Sequence, residues 1–287
     1  MTAVDNLLAR VAAQGLDSGV SVAGVPLADP AFGVLVQRAL SERIVGHLVA
    51  ALEAGTVAAT ETQRILAREA HEDALAIDLV LERLLVDTSI ELTSAGIAHR
   101  ALKGAAVAHT SYPDPALRSF GDVDILVDGR QFDAAIALLA RAGGRRRYIE
   151  PRPNFVARFG KGVCVVTASG YEIDVHRVFT AGPFGLAIDA DDLFAPPEIV
   201  SIGGVDVPAL DATLRFLHAC YHASLGGSRP RLSALRDVAQ TARAAQFDPE
   251  RAWMLARRWR GRAVVQRAVT LTRESLAVRL PFDPADA

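Results

Sequence analysis

The chain has 287 residues, of which 51% are hydrophobic and 22% are charged. This is the composition of a globular protein, and it excludes a chain that is disordered throughout. The formal net charge is −2, so the sequence does not indicate nucleic-acid binding through an overall basic surface. The length is enough for one large domain or two modest ones.

The two cysteines, Cys164 and Cys220, form no CxxC pair and no zinc-binding spacing. We expect both to be free thiols in a reducing compartment. The N-terminal residues lack the apolar segment and the basic start of a secretion signal. No stretch approaches the roughly 18 uninterrupted apolar residues that indicate a membrane span. We therefore expect a cytoplasmic protein that does not associate with a membrane.

The N-terminal third is predicted to be helical. Apolar residues recur at steps of three or four through residues 30–54. A longer helix is expected from Thr60 or Thr62, either of which is a suitable N-cap, to about Ser94, where Ala-Gly ends it. Its isoleucine and leucine side chains, including Ile65 and Leu79, are expected to form a stripe that faces the core.

Short strands and helices alternate in the centre of the chain. Strands are predicted at 97–102 and 122–127, with a short helix at 104–110 between them and another helix at 131–142 after them. Proline and glycine turns separate further short strands, which are predicted at 145–148, 155–159, 163–167 and 171–176.

A hairpin at 199–210, with Gly203-Gly204 at its turn, is predicted to close the central section. Asp211 is a good N-cap for a tail that is helical to its end. The helices of this tail are predicted at 212–225, 231–245, 248–259 and 261–277.

The expected fold class is therefore α+β, with an α/β core and three regions along the chain. A helical N-terminal region covers 1–96, the α/β core covers 97–210, and a helical C-terminal region covers 211–287. The core is the region in which residues suited to chemistry are concentrated.

Two aspartates, Asp122 and Asp124, open the second predicted strand. Because side chains alternate along a strand, both carboxylates project to one face while Val123 and Ile125 point into the core. Carboxylates this close repel each other unless a cation lies between them. A hard divalent ion such as Mg²⁺ prefers such oxygen ligands. The alternative is a solvated strand end, since a D-x-D alone is a weak signal.

A third candidate acid, Asp174, lies in the predicted strand 171–176, where it shares a face with Glu172 and His176. If this strand neighbours the one that carries Asp122 and Asp124, three carboxylates converge. Such a group can hold two metal ions about 3.5–4 Å apart, the arrangement used for in-line phosphoryl displacement.

Lys103 and Gly104 occupy the junction between the first strand and the helix that follows. Glycine allows the backbone to approach phosphate oxygens, and the start of a helix offers free N–H groups. Lys103 adds a point charge, and the forked guanidinium of Arg118 can grip a phosphate. Gly121, beside the first aspartate, completes the predicted nucleotide-binding set. A surface lysine, a turn glycine and a surface arginine are the alternative interpretations.

Other polar residues have structural explanations that we favour. His176 either orients the third acid, touches the substrate or has a structural role. His222, Arg236 and Asp237 lie on predicted tail helices that can close over the cleft, and for Arg236 and Asp237 we favour an intramolecular Arg–Asp pair between helices. The acidic cluster at 189–192 is expected to cap a helix or face water. The arginines at 145–147 fit a solvated edge strand, although they can also meet a polyanionic acceptor such as tRNA.

A series of short motifs in a fixed order resembles a known family. The chain has L-K-G at 102–104, Y-P-x-P-x-x-R at 112–118, D-x-D followed by I-L-V at 122–127, and I-D-V-H at 173–176. This order resembles the bacterial nucleotidyltransferase-family proteins of the DNA polymerase β superfamily, and more narrowly the group described as uncharacterised nucleotidyltransferases. The resemblance covers roughly residues 97–245.

The resemblance implies a polymerase β-type fold with a short mixed sheet, and it implies roles for the acids. Asp122 and Asp124 would be the two metal-bridging catalytic acids. Asp174 would be the third metal-binding acid and the general base or its electrostatic equivalent.

The resemblance also shows a departure at the phosphate-binding turn. Lys103 and Gly104 stand where the superfamily usually has Gly-Ser, and Ala105 replaces the serine that commonly contacts a nucleotide phosphate. Part of that role is therefore assigned to Lys103 and Arg118.

The activity implied is Mg²⁺-dependent transfer of a nucleoside monophosphate from an NTP, such as ATP, to a hydroxyl or other acceptor, with release of pyrophosphate. One alternative keeps the fold and makes the protein a toxin-like transferase that modifies tRNA or a protein. Another is a non-catalytic module that binds a nucleotide or a partner. The missing serine favours the module, whereas the three acids favour an enzyme. Fold-level resemblance identifies neither the acceptor nor the preferred nucleotide.

Overall fold

A seven-stranded mixed sheet forms the centre of the computed structural model, which describes residues 3–16, 24–152 and 155–281. The strands in chain order are β1 (His99–Ala101), β2 (Val123–Val127), β3 (Arg145–Arg146), β4 (Gly162–Val166), β5 (Glu172–His176), β6 (Glu198–Ile202) and β7 (Val205–Ala209). Their order across the sheet is β3-β4-β5-β2-β1-β7-β6. The pairs β2–β5 and β1–β7 are parallel and the others antiparallel.

Helices surround this sheet, which confirms the predicted α+β class. Those before the sheet are α1 (Ala3–Ala12), α2 (Asp29–Ser41), α3 (Val45–Glu53) and α4 (Glu61–Ser94). Those between strands are α5 (Ala105–Ser111), α6 (Phe132–Arg141), α7 (Phe155–Phe159), α8 (Gly182–Leu186) and α9 (Ala190–Leu193). Those of the tail are α10 (Ala212–Leu225), α11 (Leu232–Thr241), α12 (Pro249–Arg258) and α13 (Arg262–Leu276). No helix in the described part of the chain is long and apolar enough to cross a membrane.

The sheet separates two apolar cores. Val123 and Ile125 on one face pack in a cluster with side chains of α4 and α6. Leu102 and Leu126 on the other face join a cluster made by the N-terminal helices and the tail. The alternation predicted for the second strand is thus confirmed, and the aspartates lie on the face toward the tail.

The predicted helical stretch 30–54 is interrupted at Arg43. This residue has a left-handed φ of 57°, and the chain turns there between α2 and α3. The amide of Ile44 closes the turn by donating to the carbonyl of Ala39 at 2.8 Å. A single left-handed residue ends a helix without changing the apolar spacing, so periodicity does not detect the break.

The long helix predicted from Thr60 is confirmed, but its inward stripe is wrong. Thr60 caps α4 in a capping box with Gln63. Ile65 and Leu79 are exposed, whereas Asp78 is buried on the inner face. Apolar residues occupy more than one side of α4, and contacts with the sheet and the preceding helices decide which side is covered.

The strand predicted at 155–159 is wrong, because this segment forms the short helix α7 outside the sheet. Phe155 and Phe159 lie one helical turn apart with their ring centroids 5.4 Å apart. The guanidinium of Arg152 lies over both rings. Strand β3 pairs directly with β4 instead.

Replacement of Gly162 by alanine should lower the free energy of unfolding by about 1–3 kcal/mol. A Cβ there would lie 2.1 Å from the carbonyl oxygen of Val175 and 2.9 Å from the Cα of His176, which are backbone atoms of β5 and cannot turn aside. Urea unfolding measures the effect. The control is Gly33→Ala in α2, where a Cβ meets nothing within 4 Å and helix propensity favours alanine by about 1 kcal/mol. Equal stability of Gly162→Ala and the wild type would contradict the prediction.

Candidate catalytic site

Neighbouring strands bring the predicted acids together at one face of the sheet. Asp124 and Asp174 are direct register partners on the parallel strands β2 and β5. One ligand atom each from Asp124, Asp174 and His176 lies within 4.8 Å of the others, so the three side chains can hold a metal ion. Asp122 lies two residues before Asp124, at the start of the strand.

The ammonium of Lys103 joins the two aspartates of the D-x-D pair. Its Nζ lies 3.0 Å from Oδ2 of Asp124 and 3.9 Å from Oδ2 of Asp122. Asp124 is buried, with 1% of its side chain exposed, whereas Asp122 is 23% exposed. The ammonium of Lys103 therefore lies between the two carboxylates, where the sequence predicted that a cation is needed.

The surroundings of Asp124 keep it ionised. Burial by itself raises the pKa of Asp124, but the charge of Lys103 and the hydrogen bond from His176 outweigh burial and hold that pKa well below its usual range. Burial likewise lowers the pKa of Lys103, and the charges of Asp124 and Asp122 more than offset this and raise it. The pair is thus a charged pair in the folded protein.

His176 holds the other oxygen of Asp124. Its Nε2 donates to Oδ1 of Asp124 at 2.9 Å, and both side chains are buried. The sequence left three roles for His176, which are to orient the third acid, to touch the substrate or to support the structure. The contact is instead with the second aspartate of the D-x-D pair, which it orients.

Gly104 lies at the predicted junction between β1 and α5, with a left-handed φ of 59°. A Cβ there would meet the ring of Phe120 at 3.5 Å and the carbonyl oxygen of Asp122 at 3.7 Å. Glycine is therefore required here because of the positive φ, and not because a side chain lacks space. Ala105 begins α5, so no hydroxyl is present at the start of this helix.

Arg118 and Asp237 form a buried pair across the site. Nε and Nη2 of Arg118 donate to the two carboxylate oxygens of Asp237 at 2.8 and 2.6 Å, and the hydroxyl of Tyr112 donates to Asp237 at 2.8 Å. Asp237 thus has an arginine partner, which is Arg118 of the central section and not an arginine of another helix. Arg236 instead donates to the carbonyls of Ala12 and Gln14, at the end of α1.

Arg43 enters the site from the turn between α2 and α3, and sequence reasoning missed it. Its Nη1 lies 3.5 Å from Oδ1 of Asp122. A Cβ at Gly121 would lie 2.7 Å from Nη2 of Arg43, so Gly121 leaves room for this guanidinium. The sequence carries no local signal for this contact, because the two residues are 79 positions apart.

A cavity of about 290 Å³ adjoins the acids on the side of Lys103. Its lining includes five cationic side chains, which are Arg43, Lys103, Arg118, Arg229 and Arg231. Arg229 and Arg231 belong to the loop between α10 and α11 and are exposed. The predicted binding residues Lys103 and Arg118 thus face one cavity, whereas Gly104 and Gly121 lie outside its lining.

Cys164 is a free thiol on β4, directly opposite Asp174. Burial, followed by the negative charge of Asp174, raises the pKa of Cys164 to about 11. Burial and the neighbouring carboxylate therefore favour the neutral thiol of Cys164.

The cluster at 189–192 and the arginines at 145–147 lie away from the acids. Asp189 caps α9 by accepting from the amide of Asp191, and Asp192 accepts from the indole of Trp259. The cap predicted for this cluster is confirmed. The three arginines are exposed, and Arg147 forms an ion pair with Glu172 on β5.

A family model described as "Uncharacterised nucleotidyltransferase" matches residues 31–277. No curated protein matches the chain. The solution structure of the antibiotic-resistance factor ANT(2'')-Ia is similar with a TM-score of 0.43 and 12% identity, over 65% of this chain and 94% of that chain. The crystal structure of an antigenic nucleotidyltransferase-like protein from Paracoccidioides brasiliensis is similar with a TM-score of 0.40 and 14% identity, over 71% of this chain and 95% of that chain.

Replacement of Lys103 by methionine in metal-free buffer should lower the free energy of unfolding by about 2–3 kcal/mol. Breaking a buried ion pair typically costs about 3–5 kcal/mol, and Asp124 here retains its bond from His176. A double-mutant cycle with Asp124→Asn should recover part of the loss, because no buried charge is then left unpaired. The control Arg83→Met breaks the exposed pair with Asp87 and should cost about 0.5 kcal/mol or less. If Lys103→Met and Arg83→Met lower the free energy of unfolding by equal amounts, the prediction is refuted.

Asp78 should make stability depend on pH. It accepts from the amide of Phe120 at 2.8 Å and so holds the loop before the D-x-D pair. Burial raises the pKa of Asp78 to about 6, although the bonds from Phe120 and Ser119 act in the opposite direction. Between about pH 4 and pH 6 the folded protein keeps a proton that the unfolded chain has lost, so this contribution to stability falls as pH rises.

The test is Asp78→Asn, which keeps an oxygen acceptor for the amide of Phe120 and does not titrate. The quantity to compare is the free energy of unfolding of the variant minus that of the wild type. This difference should be constant below about pH 4, should increase between about pH 4 and pH 6, and should be constant again above about pH 6. Urea unfolding across this range measures it. A difference that is independent of pH would rule out the raised pKa.

Proposed function

The chain belongs to the family of uncharacterised nucleotidyltransferases, and on this premise we propose that it transfers a nucleoside monophosphate from an NTP to an acceptor hydroxyl and releases pyrophosphate. The observation that carries the proposal is the register of Asp124 with Asp174 on parallel neighbouring strands, with Asp122 and Lys103 beside them. The family is the one indicated by the motifs between residues 97 and 245.

The donor atoms of the acids fit Mg²⁺. Asp122, Asp124 and Asp174 supply hard carboxylate oxygens, and each oxygen of a carboxylate has two lone pairs, so a bond from Lys103 or His176 leaves room for a metal. We propose that these three acids hold one or two Mg²⁺ ions. When bound, Mg²⁺ would neutralise charge on the phosphates and favour ionisation of the attacking hydroxyl.

The protein's own side chains would position the reactants. Lys103 would place positive charge against the donor phosphates, and the glycine turn at Gly104 would let the backbone approach them. Asp174, which is partly exposed, would accept the proton of the attacking hydroxyl. His176 would keep Asp124 in its orientation and would not touch the substrate.

A second candidate is a toxin-like transferase whose acceptor is a polyanion such as tRNA. The observation that favours it is the exposed arginines 145–147 at the sheet edge on the side of β5, where Arg147 forms an ion pair with Glu172 of that strand. Electrostatic contact with phosphates at this edge would bring an acceptor hydroxyl to the side of Asp174. Transfer of labelled NMP to total tRNA, compared with transfer to small hydroxyl compounds, separates the two candidates.

Thermal melting with each NTP, with and without Mg²⁺, tests the proposed function. At 100 times its Kd in the presence of Mg²⁺, a nucleotide should add about 2.7 kcal/mol of stability to the wild type, and the same concentration should add less when Mg²⁺ is absent. Asp122→Asn/Asp124→Asn should lose the Mg²⁺-dependent part of this stabilisation, because the carboxylates that hold the metal are gone. Pyrophosphate release, assayed with the stabilising NTP and a panel of acceptors, then reports turnover.

The matched control is Asp133→Asn/Asp206→Asn, which removes two exposed acids of α6 and β7 outside the site and should keep the full stabilisation. A wild type that no NTP stabilises would remove most of the support for a transferase. Stabilisation without pyrophosphate release from any acceptor would favour the non-catalytic binding module.

A further inference from the structure

The cationic cavity draws on parts of the chain that lie far apart in sequence. Arg43 comes from the N-terminal helices, Lys103 and Arg118 come from the central section, and Arg229 and Arg231 come from the tail loop. Only one carboxylate, Asp237, is in the described lining, and it is already paired with Arg118 and Tyr112. The lining thus has a surplus of positive charge.

Arg118 offers this cavity donors that no protein group uses. Its side chain is 7% exposed, and Asp237 engages Nε and Nη2. Nη1 is buried and has no hydrogen-bond partner in the described structure. A buried donor left unpaired is unfavourable, and an anion in the cavity would satisfy it.

The two arginines of the tail loop have no counterion among the described residues. Within the described residues, no carboxylate forms an ion pair with Arg229 or Arg231. Both line the cavity together with Arg43, Lys103 and Arg118. Like charges held this close indicate a site that an anion completes.

The position of the cavity relative to the acids indicates which anion. In the sheet, β2 with Asp124 lies between β1, which leads into Lys103, and β5, which carries Asp174. In-line displacement places the leaving group and the attacking hydroxyl on opposite sides of the phosphorus. If Asp174 takes the proton of the hydroxyl, the leaving group lies on the side of Lys103, where the cavity is.

We propose that this cavity binds the pyrophosphate end of the donor nucleotide, held by Arg43, Arg118, Arg229 and Arg231 beyond Lys103. The proposal rests on the proposed function. A volume of about 290 Å³ is at the lower end of the roughly 300–1,000 Å³ typical of ligand pockets, which suits a polyphosphate better than a whole nucleotide. The helical regions would then complete the donor site.

The acceptor oxygen forms a bond to the α-phosphorus of the NTP while the bond from that phosphorus to the bridging oxygen of the β-phosphate breaks. The electron pair of the broken bond leaves with pyrophosphate, whose added charge the arginines stabilise. The proton of the acceptor hydroxyl passes to Asp174.

Calorimetric titration of inorganic pyrophosphate into the full chain, with a chelator to remove metal, tests the proposal. The wild type should bind pyrophosphate more tightly than orthophosphate, and Arg229→Ala/Arg231→Ala should weaken pyrophosphate binding at least tenfold. Both residues are exposed, so the variant should fold, and its melting temperature without ligand checks this. The charge-matched control Arg257→Ala/Arg267→Ala, which removes exposed arginines of the same tail, should bind as the wild type does.

The proposal is overturned if the wild type does not bind pyrophosphate, or if the double variant binds it as the wild type does. In either case, Mg²⁺-dependent stabilisation by an NTP would still support the proposed function. Competition distinguishes the two possible sources of the phosphate. Displacement of pyrophosphate by the stabilising NTP supports the donor assignment. Binding of both without competition would instead make the cavity a site for a separate phosphorylated ligand and overturn the assignment.

Discussion

The charged contact between Asp124, Lys103 and His176 is the interaction on which the site depends. A buried carboxylate is unfavourable unless charge and hydrogen bonds compensate it. Lys103 follows β1 and His176 ends β5, so the compensation exists only when both strands flank β2. The sheet order therefore does more than bring acids together, because it also keeps the central one ionised and fixed in orientation.

Buried polar contacts connect the helical regions to this centre. Arg118 and Tyr112 bind Asp237 on α11, and Arg236 on the same helix binds the end of α1. Glu42, at the end of α2, also accepts from the amide of Leu232. The N-terminal helices and the tail thus share one polar framework behind the cavity, and the arginines that line it are positioned by both.

Local patterns predicted much of the core because they depend only on neighbouring residues. Period-two alternation placed Asp122 and Asp124 opposite Val123 and Ile125, and turn and cap residues located the hairpin and the tail helices. The same approach failed at 155–159, where aromatic and apolar spacing fits a strand and a single helical turn alike. It also failed on α4, where apolar residues on several sides give no unique inward face.

The sequence by itself determined which side chains share a strand face, where glycine permits the turn before α5, and to which family the motifs point. Tertiary structure alone decided that β2 and β5 are neighbours, that Arg118 pairs with Asp237 across 119 positions, and that Arg43 reaches Asp122. The physical reason is range. Periodicity and capping are set within a turn or a strand, whereas these contacts depend on how distant segments pack, which local spacing does not encode.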